Sequence, residues 1–188
     1  MRAVAFFDSH GSQATNMGRI SGTVEFLQIS PGSETTVTFH LRGFSAGTRN
    51  GVHIHTYGDA TEGCTSSCDH FNPAGTGQLH GSQYLYGKSR HVGDLCNNIT
   101  ADWNGCVDYQ YSDDLVSLWG SNTVIGRMVV IHGSMDDLGA YRDEPSKRGE
   151  GSRTTGNAGE RIACAVIGLA KPPSSALRTL RQRPFFSQ

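Results

Sequence analysis

The sequence predicts an all-β protein of about eight antiparallel strands, arranged as a sandwich or barrel and interrupted by two long loops. Three observations support this. Glycine occurs 24 times in 188 residues and hydrophobic residues make up 36%, a composition that suits frequent turns better than helices. Apolar residues recur at every second position in several short runs, the period of a half-buried strand. Turn-forming clusters separate these runs at the spacing of sandwich and barrel proteins. The length suits one domain with a single core, read as residues 1–170, followed by a basic tail over 171–188.

The elements follow in order. Residues 3–7 form a short β-like run. Residues 18–29 alternate through Ile20, Val24, Phe26 and Ile29, then turn at Pro31-Gly32. Residues 35–44 set Val37, Phe39 and Leu41 against Thr36, Thr38, His40 and Arg42. A loop reading Gly-Thr-Arg-Asn-Gly leads into a strand over 51–57, and the first strands read as an antiparallel meander. From 58 to 90 no periodic segment exists, and a loop of this length is usually functional or disordered. Residues 101–111 and 115–119 read as short strands broken by polar turns. Residues 124–132 are the most apolar run, with Val129, Val130 and Ile131 leading into His132. A second long loop over 133–160 is polar and charged, and a buried strand over 161–169 closes the pattern. No internal repeat or heptad is visible.

The formal net charge is −1, so the chain as a whole is not built for nucleic acid. The tail holds Lys171, Arg178, Arg181 and Arg183 and no acid, which leaves −5 for the rest. One reading of the tail is a disordered, solvated end; another is a tether to an anionic surface such as nucleic acid or phospholipid. No stretch approaches the ~18–20 apolar residues that cross a bilayer. The run at 3–7 is too short for a secretory signal core, so the expected address is the cytosol, or a particle packaged from it. Cys64, Cys68, Cys96, Cys106 and Cys164 make an odd count, leaving at least one thiol unpaired within the chain. A cytosolic address argues against disulfides.

The chemistry is concentrated in one stretch. Of eight histidines, His53, His55, His70, His80 and His91 fall within the 42 positions from His53 to Asp94, and only His10, His40 and His132 lie elsewhere. Imidazole is the commonest metal ligand, and histidines joined by one carboxylate suit zinc, copper, iron or nickel. His53 and His55 are two apart in a β pattern, so both leave one face of the sheet. His-x-His is a weak signal alone. Together with His70, His80 and His91-x-x-Asp94 it supplies six candidate ligands, more than one tetrahedral ion needs, and two sites are expected.

Six separated motifs now stand in order. They are Gly51-Val-His-Ile-His-Thr-Tyr-Gly-Asp59, His70-Phe-Asn-Pro73, Arg90-His-Val-Gly-Asp-Leu95, Ile125-Gly-Arg-Met-Val-Val-Ile-His132, Asp136-Asp-Leu-Gly139, and Gly156-Asn-Ala-Gly-Glu-Arg-Ile-Ala-Cys-Ala-Val-Ile-Gly168. Over residues 4–170 these resemble the copper/zinc superoxide dismutase family. The resemblance implies an eight-stranded antiparallel Greek-key β-sandwich or barrel (Ig-like), a homodimer, and an antioxidant oxidoreductase acting on superoxide. It implies copper held by His53, His55, His70 and His132, and zinc held by His70, His80, His91 and Asp94, one ion of each per chain. The ring of His70 would join the two metals through both nitrogens, and His70 and Arg161 would be the catalytic side chains. Asp136 matches the carboxylate linking ligand rings of the two metals, and Cys64 and Cys164 match the family's disulfide, kept even in the cytosol.

This chain also departs from the pattern. Cys96 stands where the family usually has glycine, and Cys68, Cys96 and Cys106 are extra. Cys96 and Cys106 are near enough in sequence to pair, with free thiols the preferred reading. The spacings from His70 to His80 and from His80 to His91 each look about two residues longer than usual in the family, and the loop from 133 to 161 is extended. Asn98-Ile-Thr100 is a glycosylation sequon without meaning in the absence of a secretory signal. Two rival readings are a catalytically silent relative that binds or delivers metal, and a zinc hydrolase. The first would be favoured by missing copper ligands, and none is missing. The second needs an open zinc position and a general base, and no His-Glu-x-x-His is present.

Overall fold

The structure, a computed structural model, describes residues 1–8, 20–75 and 79–172. The basic tail anticipated over 171–188 lies almost wholly outside the described residues. Eight strands follow the chain: β1 (Arg2–Phe7), β2 (Ser21–Gln28), β3 (Thr35–Arg42), β4 (Arg49–His55), β5 (Asn97–Thr100), β6 (Cys106–Asp113), β7 (Met128–His132) and β8 (Arg161–Leu169). They form one antiparallel sheet in the order β5-β4-β7-β8-β1-β2-β3-β6, curled into a nearly closed barrel. The meander read from the sequence holds for β1, β2 and β3. It then gives way to crossovers, β3 pairing with β6 and β4 with β7, the Greek-key pattern. Strand β8 joins the two halves of the sheet. Its early residues pair with β7, Val130 opposite Cys164, and its last pair with β1, Ala3 opposite Leu169.

Alternation decides what enters the barrel. In β3 the inward set is Thr35, Val37, Phe39 and Leu41, and the intervening residues are more exposed. These meet Val24 and Phe26 of β2, Ala3 and Ala5 of β1 and Ile167 of β8 in one apolar core. Strands β4 and β7 differ in being buried on both faces. Val52, Ile54, Val129 and Ile131 fill the barrel. His53 and His55 face the other way, opposite Val130 and Met128, beneath the two long loops.

Three elements depart from the sequence reading. Residues 115–119 are not a strand, because side chains take their backbone partners: Asp113 accepts from the amides of Leu115 and Val116, Gln28 accepts from that of Leu118, and the Thr35 hydroxyl donates to the Val116 carbonyl. Strand β5 was concealed by the low β propensity of two asparagines. Both long loops contain short helices, α1 (Gln83–Tyr86) and α2 (Lys147–Thr154). The sequence of α2 is polar all round with two glycines, a poor helix former. It is set by the Ser146 hydroxyl capping the Gly149 amide, with Glu150 in the first turn. No helix among the described residues is long and apolar enough to cross a membrane.

Candidate metal centre

Strand geometry places the first candidate ligands. His53 and His55 leave the same face of β4, and His132 ends β7, where a register shift between Ile131 and His132 re-aims its ring. The first loop folds back so that His70 makes an isolated bridge with His55. Residues near Asp94 are fastened to β4 as well. The Ile54 amide donates to the Gly93 carbonyl at 2.9 Å, and the Phe71 amide donates to the Ile54 carbonyl at 2.8 Å. His70, Asp94 and β4 are thus stitched together by main-chain bonds.

Two clusters result. The donor atoms of His53, His55, His70 and His132 lie within 4.8 Å of one another, and so do those of His70, His80, His91 and Asp94. All the residues assigned by resemblance to the two metals are therefore brought together, with His70 common to both. In the first cluster each ring turns one nitrogen to the protein. His55 Nδ1 lies 2.6 Å from the Cys68 carbonyl oxygen, His132 Nδ1 lies 3.1 Å from that of Gly159, and His53 Nε2 lies 2.6 Å from Asp136 Oδ2. The opposite nitrogens, Nδ1 of His53 and Nε2 of His55, His70 and His132, are buried with no hydrogen-bond partner. Four buried lone pairs converging without a donor are a cost unless a cation fills the space.

In the second cluster the Nδ1 atoms of three rings surround one carboxylate. Asp94 Oδ1 lies 2.8 Å from His70 and 3.2 Å from His80, and Asp94 Oδ2 lies 3.1 Å from His91. Donors bonded at ~2.0–2.1 Å to one tetrahedral ion stand roughly 3.3 Å apart, so these distances fit a closed four-ligand site. The donor chemistry fits both ions, four imidazoles for copper and three imidazoles with a carboxylate for zinc.

Asp136 spans the clusters. Its carboxylate lies 2.6 Å from His53 Nε2 and 3.0 Å from His80 Nε2. It is held by the Leu138 amide at 2.7 Å and the Asn97 side-chain amide at 3.1 Å. Asn98 grips its backbone, donating to the Asp136 carbonyl and accepting from its amide. Sequence reasoning missed Asn97 and Asn98. The signal available was Asn98 in a sequon, which pointed at the wrong chemistry.

Burial and neighbours set the protonation. Burial presses His53 and His55 well below the usual imidazole range, and His70 below it. Burial likewise lowers His132 to about 4. These rings stay neutral with lone pairs available. His80 is the exception: burial opposes its charge, but bonds to Asp136 and Asp94 outweigh this and push it up to about 10. Burial would raise Asp94, yet bonds from His70, His80 and His91 hold it well below the carboxylate range.

Arg161 starts β8 and turns its fork toward the 64–68 segment. Nη1 donates to the Cys64 carbonyl at 2.8 Å and Nη2 to the Cys68 carbonyl at 2.6 Å. Its charge helps to depress both His55 and His132, which places it on the first cluster's side. With Glu62, Thr65 and Glu160 it lines an open groove. Cys64 and Cys164 are bridged, fastening the first loop to β8, while Cys68, Cys96 and Cys106 are free.

An antiparallel Greek-key barrel carrying two histidine clusters that share a ring has the form of a candidate two-metal centre. The family model described as copper/zinc superoxide dismutase matches residues 20–167. "Superoxide dismutase [Cu-Zn]" of Schizosaccharomyces pombe is 44% identical over 152 residues, 81% of this chain and 92% of that protein. The protein of the same name from Neurospora crassa is 45% identical with the same coverage. The one from Paramecium bursaria Chlorella virus 1 is 44% identical over 154 residues, 82% of this chain and 75% of its own length. A crystal structure described as the clock protein EA4 matches with a TM-score of 0.73 at 36% identity, covering 90% of this chain and 94% of that one. The chain belongs to the copper/zinc superoxide dismutase family. Its activity is that of the family: an oxidoreductase that dismutates superoxide.

Proposed function

We propose that His53, His55, His70 and His132 hold copper and that His70, His80, His91 and Asp94 hold zinc, one of each per chain. The supporting observation is the set of four buried, partnerless ring nitrogens, one of which belongs to a ring already engaged in the second cluster. Held there, copper would supply the one-electron redox chemistry that the reaction needs. The overall reaction takes two superoxide anions and two protons to dioxygen and hydrogen peroxide. His70 is suited to one of those protons: Nε2 can carry it on the first cluster's side while Nδ1 remains with the second set. Arg161, its fork fixed by main-chain carbonyls, presents a permanent planar charge suited to a small diatomic anion. Asp136 fixes the tautomers of His53 and His80.

Elemental analysis after loading both metals should give about one copper and one zinc per chain. Zinc alone after copper loading would remove the redox reading. Arg161→Glu should lower kcat/KM about 10²-fold with both metals retained, and an unchanged value would reject its role. A catalytically silent relative has no support, since no ligand position is empty.

The homodimer reading finds support in Phe6 and Leu169, 65% and 69% exposed on the paired strands β1 and β8. Three free thiols support a reducing, cytoplasmic setting. The cations of the tail support contact with an anionic surface.

A further inference from the structure

Arg142 lies in the second long loop, and no part of the metal-site assignment uses it. Its guanidinium is nevertheless seated against the zinc set. Nη2 donates to the main-chain oxygen of His80 at 3.2 Å and to the Tyr86 hydroxyl, and Nε donates to the Gly139 carbonyl at 3.0 Å. The guanidinium carbon also stands 4.2 Å from the centre of the Tyr86 ring, within range of a cation–π attraction. Tyr86 ends α1, in the first loop, so the contact joins the two loops that cover the clusters.

The surroundings leave room for this contact and brace it. A Cβ on Gly81, the residue after His80, would come 2.3 Å from Tyr86 Cε2, and one on Gly139 would come 2.1 Å from Arg142 Nη2. Both glycines have positive φ, +144° and +76°, so a side chain there is disfavoured on two counts. Behind Arg142, Arg153 of α2 donates to the Arg142 and Glu144 carbonyls. The Ser152 hydroxyl meets the Tyr141 amide at 3.0 Å and Asp137 at 2.8 Å.

We propose that Arg142 is a positioning residue, a latch that closes the second loop over the first by holding the backbone of the zinc ligand His80. His53 and His55 sit on β4, paired with β7 along one edge and tied to the backbone of Phe71 and Gly93 along the other. His80 sits on irregular backbone between an isolated bridge at Leu79 and the short helix α1. The ring of His80 is buried and held by Asp94 and Asp136, so its departure from the set depends on whether the backbone that carries it can lift. For its backbone to lift, the bonds of Arg142 to the His80 carbonyl and to Tyr86 must break together. The latch therefore governs how fast zinc leaves and enters. This rests on the zinc assignment above.

The test is the rate at which metal-replete protein surrenders zinc to an excess of chromogenic chelator. Arg142→Ala should release zinc about tenfold faster or more. Arg142→Lys, which keeps the charge without the fork, should fall between. Tyr86→Phe should accelerate release in the wild-type background and add nothing to Arg142→Ala, because the two side chains act as one unit. With cobalt in the zinc site, the visible bands of Arg142→Ala should shift, a change that loop stability alone would not produce. Wild-type release rates and unshifted cobalt bands in folded Arg142→Ala would overturn the latch. So would faster release confined to variants whose metal-free melting temperature has dropped. If the wild-type protein takes up no zinc, the metal assignment fails and the latch with it.

Discussion

Each clustered imidazole has two nitrogens, and in the first cluster the protein side takes one and leaves the other facing its neighbours. Cys68 and Gly159 carbonyls do this for His55 and His132, and Asp136 does it for His53. Asp136→Ala removes the acceptor common to His53 and His80 and leaves both rings free to turn. Metal affinity should fall about 10–100-fold, measurable by competition titration, and an unchanged affinity would show the carboxylate to be a bystander. The protonation pattern leads to a second expectation. In metal-free protein His80, at about 10, carries its proton at pH 7 and must lose it to bind zinc. Zinc affinity should therefore rise as pH rises toward that value, with proton release on binding, visible in buffers of different ionisation enthalpy. For His53, His55, His70 and His132, all lowered, the sign for folding is opposite to that of a raised histidine. The unfolded chain takes up protons that the buried rings refuse, so metal-free stability should fall as pH drops through ~6.5. A flat melting temperature between pH 7.5 and 5.5 would contradict this.

Elements carry these residues to the centre, and they were unequally legible. The alternation in β3 and the two-residue spacing of His53 and His55 are properties of an extended chain, so sequence alone could show them. Residues 115–119 read as a strand but are held by the adjacent Asp113 and by Gln28 and Thr35, which only tertiary folding brings near. Strand β5 and helix α2 were hard to see because neither has a strong local preference: β5 is fixed by pairing with β4, and α2 by its Ser146 cap together with contacts to Asp137 and Arg142. The 64–68 turn shows what this costs. Its Cys68 carbonyl holds both His55 and Arg161, and to aim it the residue adopts φ 65° and ψ −144°, a region suited to glycine. Cys68→Gly should raise stability by about 1 kcal/mol, seen as a higher melting temperature, and a decrease would show that the thiol makes compensating contacts. The Cys64–Cys164 bridge spans 100 residues of sequence. Verified reduction should cost ~2–5 kcal/mol; an unmoved thermal transition would mean the bridge constrains little.

For the whole molecule the question is how an anion finds the groove. Excluding the basic tail, the formal charge of the chain is −5, and Glu62 and Glu160 flank Arg161. Attraction is expected from the local charge of Arg161, which lines that groove. Screening shortens from ~30 Å to ~8 Å between 0.01 and 0.15 M salt, so kcat/KM should fall across that range. A rise would show that the net negative field governs encounter.

The sequence by itself determined the fold class and, through the order of its motifs, the family, and it named the candidate ligands, because motif order, histidine spacing and strand alternation survive without coordinates. The tertiary structure decided which ring nitrogens stay free, that Asn97 and Asn98 hold Asp136, and that Arg142 reaches His80. Those depend on segments distant in the chain meeting at hydrogen-bond range, and no one-dimensional pattern records such a meeting.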